Sequence, residues 1–189
     1  MNKLEVLDLI ANPNIDWEEK LLYIPNIFWK DIEVVMHALE CDAPYYMNHT
    51  FQVADRSLKK DKKTVLEVLK KDAFAFEFVD KNLKKDKEVI LYAIERSGLN
   101  LKHIDKSFKK DRQITLAAVK EDGRALEYAD KIFKKDKEIV LEALNNSGAP
   151  YTLIKFIDKS LYHDITIKDL GWELDVSISN IIDIKKYFK

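Results

Sequence analysis

Residues 84–90 read KKDKEVI, and residues 134–140 repeat this phrase almost unchanged as KKDKEIV. Looser copies lie at 59–65 (KKDKKTV) and at 109–115 (KKDRQIT). The aspartates of successive copies are 25 residues apart, at Asp61, Asp86, Asp111 and Asp136. The apolar residues before and after each aspartate recur at the same interval of 25 residues. The chain therefore carries an internal repeat, and this repeat determines the predicted fold.

Each repeat has the pattern of two helices. The aspartate occupies the position of an N-cap, immediately before an apolar run. The first helix has an apolar stripe at helical spacing, which in the second copy consists of Val89, Ile90, Ala93 and Ile94. Glycines such as Gly123 are expected to adopt a positive φ and end this helix. The shorter second helix that follows has an apolar side formed by Leu126, Ala129 and Phe133.

A helical hairpin of this length cannot bury its own apolar face, whereas stacked neighbours can. The sequence therefore predicts an all-α protein, a short α-solenoid of helical hairpin repeats with divergent caps. An upstream copy begins at Asp31, and a degraded downstream copy begins near Asp164. We expect a single repeat domain over 1–189, with an N-terminal cap at 1–30, hairpin repeats at 31–160 and a C-terminal cap at 161–189, where Ser179 could cap a last helix.

The repeat resembles a known family. The segment FKKDRQITLAAVKEDGRALEYAD at 108–130 is similar to the helical repeats catalogued as domain of unknown function 4116. LKKDKEVILYAI at 83–94 and FKKDKEIVLEAL at 133–144 show the same pattern. The resemblance covers roughly residues 54–148. It implies a helical repeat architecture and no catalytic residues, because the family has no established activity.

Composition narrows the class of protein further. The 189 residues carry a formal net charge of −1, which disfavours a dedicated polyanion binder. A single cysteine, Cys41, excludes an internal disulfide and favours the cytoplasm. No apolar stretch is long enough to span a membrane. With four glycines, the chain can hardly supply a nucleotide-binding glycine motif.

The lysine pairs of the phrase are one candidate binding site. They are Lys59, Lys60, Lys84, Lys85, Lys109, Lys110, Lys134 and Lys135. Stacked repeats would align these pairs along one edge, where a nucleic-acid backbone could bind. The alternative is a solvated edge, because each copy also carries its own aspartate and a charged edge deters aggregation.

Two segments that break the repeat form the other candidate. Residues 41–51 contain Tyr45, Tyr46 and Met47, and residues 148–156 contain Tyr151 and Phe156. Insertions in repeat proteins often map to the binding face, and Tyr and Met are enriched at protein interfaces. The alternative is that both segments lengthen a second helix and seal the ends of the array.

The sequence predicts no catalytic residue, metal site or cofactor. His37, His49, His103 and His163 lack the spacing of metal ligands, and His103 occupies a packing position. Asp42 next to Cys41 disfavours a reactive thiolate. The prediction is a non-catalytic protein–protein interaction module, an adaptor or an inhibitor that docks on a larger protein complex. Nucleic-acid backbone binding through the lysine edge is the alternative, and no membrane partner is expected.

Overall fold

The computed structural model describes residues 1–41, 50–162 and 165. These residues form α- and 3₁₀ helices and contain no β-strand. The predicted all-α repeat fold is confirmed. The chain divides into two compact units, one ending at Arg96 and the other beginning at Ser97, and each is described separately below.

Most of the α-helices among the described residues lie in the first unit. They are α1 (Lys3–Ala11), α2 (Trp17–Tyr23), α3 (Ile32–Cys41), α4 (Thr50–Val53), α5 (Arg56–Lys60), α6 (Lys62–Lys71) and α7 (Lys87–Arg96). Three 3₁₀ helices connect them at Asn26–Lys30, Ala73–Phe78 and Leu83–Lys85. Helix α3 begins directly after Asp31, as the predicted upstream copy requires.

In the second unit the described α-helices are α8 (Arg112–Glu121) and α9 (Lys137–Asn145). Between and after them lie 3₁₀ helices at Gly98–Lys102, Phe108–Lys110, Gly123–Tyr128, Phe133–Lys135, Pro150–Thr152, Ile154–Phe156 and Lys159–Leu161. The predicted last helix at Ser179 lies outside the described residues.

The repeats that begin at Asp61, Asp86 and Asp111 each consist of three helical segments. An α-helix of about ten residues is followed by a 3₁₀ helix and then by one more short turn. The second segment is a 3₁₀ helix because it has only five or six residues between fixed ends, and short helical pieces commonly take this form. In two repeats an aspartate caps it, since the side chains of Asp72 and Asp122 accept hydrogen bonds from Phe74 N and Arg124 N.

The four aspartates of the phrase cap the α-helices, as the sequence predicts. Asp61 accepts a hydrogen bond from Thr64 N at 2.7 Å, and Asp111 accepts one from Gln113 N at 2.9 Å. The remaining two side chains, those of Asp86 and Asp136, accept from Val89 N and Ile139 N. These bonds satisfy backbone N–H groups that have no partner within the helix.

The prediction for the glycines is wrong. Gly98, Gly123 and Gly148 do not have a positive φ. Gly98 and Gly123 begin 3₁₀ helices, and the α-helices before them end at residues with extended or nearly extended backbone. A Cβ atom on Gly123 would lie 1.9 Å from the carbonyl oxygen of Ala143 in α9, and one on Gly98 would lie 2.2 Å from that of Ala118 in α8. Glycine is needed here because two backbones approach closely.

The core follows the predicted stripes. Val89, Ile90, Ala93 and Ile94 are fully buried on α7, and Leu126 is fully buried in the second unit. In place of one longer second helix, the segment after Gly148 forms two one-turn 3₁₀ helices. Pro150 begins the first of them, where its missing N–H costs no hydrogen bond.

Candidate recognition surfaces

The first lysine of each phrase closes a loop within the chain. Its Nζ donates to the carbonyl oxygen of the residue seven positions earlier in all four copies. The bonds join Lys59 to Gln52 (2.6 Å), Lys84 to Glu77 (2.5 Å), Lys109 to Lys102 (3.0 Å) and Lys134 to Glu127 (2.7 Å). Burial lowers the pKa of these four amines from the ordinary value of lysine. These side chains therefore have a structural role, which sequence reasoning missed.

The basic residue after the aspartate links successive repeats. Lys62 Nζ lies 2.7 Å from a carboxylate oxygen of Asp86, the next N-cap, and 2.7 Å from one of Glu88. Hydrogen bonds to these carboxylates raise the pKa of Lys62, and the bond from Lys62 lowers the pKa of Asp86. The phrase therefore carries an inter-repeat ion pair that partly neutralises the lysine edge.

A similar arrangement is present at two other places in the chain. In the second unit, Arg112 contacts Asp136 at 3.3 Å and Glu138 at 2.5 Å. In the N-terminal segment, Lys3 contacts Asp31 at 2.7 Å and also pairs with Glu33. Although Lys3 lies outside the clear copies of the phrase, the N-terminal segment uses the same charge pattern to join the first repeat.

Of the two lysines that open each phrase, the second projects into solvent. The exposed side chains are those of Lys60, Lys85, Lys110 and Lys135. Lys135 Nζ lies 3.5 Å from a carboxylate oxygen of Asp158. The eight lysines predicted as an anion-binding edge thus fall into two classes, four half-buried and bonded to carbonyl groups and four exposed.

Each repeat ends in a turn, here called its corner, that carries an aspartate: Asp55, Asp80, Asp105, Asp130 or Asp158. Backbone hydrogen bonds join the corners of successive repeats. Asp80 N donates to the carbonyl oxygen of Lys59 at 3.1 Å, and Asp158 N donates to that of Lys134 at 2.9 Å. The side chain of each aspartate then accepts from the backbone N–H two residues later, as Asp158 does from Ser160 at 3.0 Å. These bonds hold in place the backbone that carries the exposed lysines.

The structure places two of the five predicted protein-binding residues. Tyr151, in the 3₁₀ turn that Pro150 begins, is 58% exposed. Phe156 is half-buried, and its ring centroid lies 5.4 Å from Lys134 Nζ and 4.7 Å from Lys155 Nζ. Tyr45, Tyr46 and Met47 lie outside the described residues. Of these two residues, Tyr151 is the more exposed.

A groove of about 760 Å³ lies in the second unit and was not predicted. Lys106, Ser107, Lys109 and Lys110 line one part of it, and residues 128–131 line the rest. Tyr128 is thereby brought beside the lysine pair at 109–110. A sequence signal for this arrangement exists. An aromatic residue or histidine recurs two positions before the corner aspartate, at Phe78, His103, Tyr128 and Phe156.

Cys41 and His37 are in contact on helix α3. Cys41 Sγ lies 3.6 Å from Nε2 of His37, one turn earlier on α3. Burial raises the pKa of the Cys41 thiol, which disfavours a nucleophilic thiolate. His103 is half-buried, while His49 and His163 lie outside the described residues. Within residues 1–41, 50–162 and 165, no cluster of three or more His, Cys, Asp or Glu side chains could hold a metal ion.

Comparison with known families agrees with this architecture. The sequence matches the family described as domain of unknown function (DUF4116) three times, at residues 61–109, 86–134 and 111–162. Because these matches span more than half of the chain, the protein belongs to this repeat family. No curated protein and no solved structure is significantly similar to the chain. Among the described residues, no helix is long and apolar enough to cross a membrane.

Proposed function

We propose that this protein is a non-catalytic protein-recognition module, an adaptor or an inhibitor that docks on a larger protein complex. One observation carries the proposal. Apart from the exposed second lysine of each phrase, the repeated residues described above are engaged inside the molecule, as helix caps, carbonyl-bonded lysines and inter-repeat ion pairs. Exposed residues that distinguish one repeat from another can then choose a partner without disturbing these contacts.

Tyr151 is the first such residue. It lies between Gly148 and Asp158, an interval three residues longer than the one between Gly123 and Asp130, and it is 58% exposed. Tyrosine combines a large apolar ring with a polar hydroxyl group, which makes it frequent at the centres of protein interfaces. The single cysteine suits a reducing compartment, and we place the interaction in the cytoplasm.

Site-specific photo-crosslinking tests the proposal. A benzophenone amino acid replaces Tyr151 in one sample and the exposed Lys120 of α8 in a matched control. Both samples are irradiated in nuclease-treated lysate of the source cell. We expect one protein to be crosslinked from position 151 and not from position 120. Equal crosslinking to many proteins from both positions would contradict a recognition surface at Tyr151.

Nucleic-acid backbone binding is the second candidate, and the exposure of Lys60, Lys85, Lys110 and Lys135 is the observation that favours it. Its test reverses only exposed lysines, as in Lys60→Glu/Lys85→Glu, since Lys59 and Lys84 bond to carbonyl groups. Backbone binding predicts that a labelled single-stranded oligonucleotide binds the wild type with a steep dependence on salt. It also predicts that the double variant loses this binding. Oligonucleotide binding that is equal in both proteins would remove this candidate.

A further inference from the structure

The groove in the second unit combines positive charge with an apolar floor. Lys106, Lys110 and Lys131 are exposed lysines on its rim, and Asp130 is the carboxylate among the lining residues. Tyr128 is half-buried, and Ala129 is buried beside it. Lysine stems add further apolar surface below their charged ends. The groove therefore suits a ligand that has negative charge together with apolar groups.

One residue sets this corner apart from the others. The second position after the corner aspartate is Ser57, Asn82, Ser107 or Ser160 in the other repeats and Ile132 here. The serine hydroxyls of Ser57, Ser107 and Ser160 donate to their own corner aspartates at 2.7 Å. Ile132 cannot donate, and it is 55% exposed. It directly follows Lys131, the last residue of the groove lining, so an exposed apolar residue adjoins the groove in sequence.

We propose that this groove binds an acidic peptide segment of the partner protein, with apolar residues among its carboxylates. The inference rests on the proposed function and names the chemistry of the partner. Carboxylates of the peptide pair with Lys106, Lys110 and Lys131, and an apolar side chain contacts Tyr128 and Ile132. Complementary charge sets the register of such a segment, and the apolar contact adds affinity.

The groove suits a peptide better than a nucleic-acid strand. A single strand needs ring faces on which bases can stack, and Tyr128 lies half-buried in the floor. In the corner that follows, Lys134 and Lys155 already lie over the ring of Phe156. The groove is also lined by lysine without arginine, whose planar guanidinium is favoured for phosphate recognition.

Peptide selection followed by titration tests the inference. A phage-displayed library of random dodecapeptides is selected on the full-length chain, and the strongest peptide is labelled for fluorescence anisotropy. We expect selected peptides to be rich in Glu and Asp and to share an apolar position. Lys110→Glu/Lys131→Glu should weaken binding by about tenfold or more. The control Lys63→Glu/Lys120→Glu makes the same change in net charge on exposed positions of α6 and α8, and it should weaken binding less than about threefold.

The variant Ile132→Ser tests the inference with little risk that the protein fails to fold. It installs the residue of the sister corners, so the turn can gain the hydroxyl bond seen at Ser107. We expect full folding by circular dichroism and binding of the selected peptide weakened by about threefold or more. Selected peptides without acidic residues, or acidic peptides whose binding ignores all these variants, would overturn the inference.

Two further outcomes separate this inference from the proposed function. If position 151 crosslinks one partner and the groove variants still capture it, the groove inference is wrong while the recognition module stands. If an oligonucleotide of thymidines displaces the acidic peptide from the wild type and binds more tightly, the site is a nucleic-acid site. That result would overturn both.

Discussion

The phrase at 109–115 and the segment at 148–156 belong to the same unit but use their side chains in opposite ways. In the phrase, Lys109 bonds to a carbonyl group, Asp111 caps a helix and Arg112 pairs with carboxylates of the next repeat. In the segment, Tyr151 is directed largely to solvent. We infer that these repeated side chains maintain the fold, while departures from the repeat supply candidate contacts.

The largest effect expected from breaking the repeat is at Gly123. A Cβ atom there would lie 1.9 Å from Ala143 O, so Gly123→Ala must push two backbones apart. We expect a loss of about 3 kcal/mol in the free energy of unfolding, measured by urea denaturation.

Gly148 provides the matched control, because a Cβ atom there would meet nothing within 4 Å. Gly148→Ala should leave stability unchanged or raise it by about 0.5 kcal/mol, since it restricts the unfolded chain. Equal losses at both glycines would show that close approach is not the reason for Gly123.

The next largest loss of stability is expected at the N-cap of α8. Asp111 accepts hydrogen bonds from Gln113 N at 2.9 Å and Ile114 N at 3.3 Å. Asp111→Ala should lower the free energy of unfolding by about 1 kcal/mol, and Asp111→Asn by much less, because asparagine also caps helices. Thermal unfolding followed by circular dichroism distinguishes the two. A loss that is the same for both variants would point to the charge of Asp111 rather than to its capping bonds.

The two lysines of one phrase offer the sharpest comparison. Lys109 bonds to the carbonyl oxygen of Lys102, whereas its neighbour Lys110 is exposed. Lys109→Met should lower the free energy of unfolding by about 0.5 to 1 kcal/mol, because the carbonyl group loses its partner. Lys110→Met should be near neutral. Chemical denaturation of both variants in parallel measures these two effects. A larger loss of stability for Lys110→Met than for Lys109→Met would refute the division of the lysine pairs into two classes.

The smallest effect belongs to the inter-repeat ion pair, and it depends on pH. The pKa of Asp86 is lowered in the folded protein, chiefly by the hydrogen bond from Lys62. A carboxyl group with a lowered folded pKa stabilises the fold above its unfolded pKa of about 3.9, and this contribution is lost as pH falls through the folded value. Lys62→Met should therefore be slightly less stable than wild type at pH 6.

This difference should disappear in strong acid and shrink in high salt, because the pair is partly exposed. Urea denaturation at pH 6 and at pH 2, with and without added salt, measures it. A difference that is constant across this range would mean that Lys62 acts through packing of its stem instead of through charge.

Local signals explain how much of this fold could be predicted. The capping role of Asp61 and the buried stripe at 89–94 were predictable because residues close in sequence determine both. The reason for Gly123 was not, since it depends on a carbonyl group twenty residues away. The position of Tyr128 in the groove was not predictable for the same reason. Tyr128 meets the lysines of the preceding phrase only when the repeats stack.

The double variant Ile132→Ser/Tyr151→Ser separates partner recognition from folding. Both residues depart from the repeat and are more than half exposed. The free energy of unfolding and the amount of partner captured from nuclease-treated lysate are measured together. We expect stability within about 0.5 kcal/mol of wild type and loss of capture. Capture at the wild-type level would contradict this expectation, as would a large loss of stability, because the residues outside the repeat would then serve the fold instead of recognition.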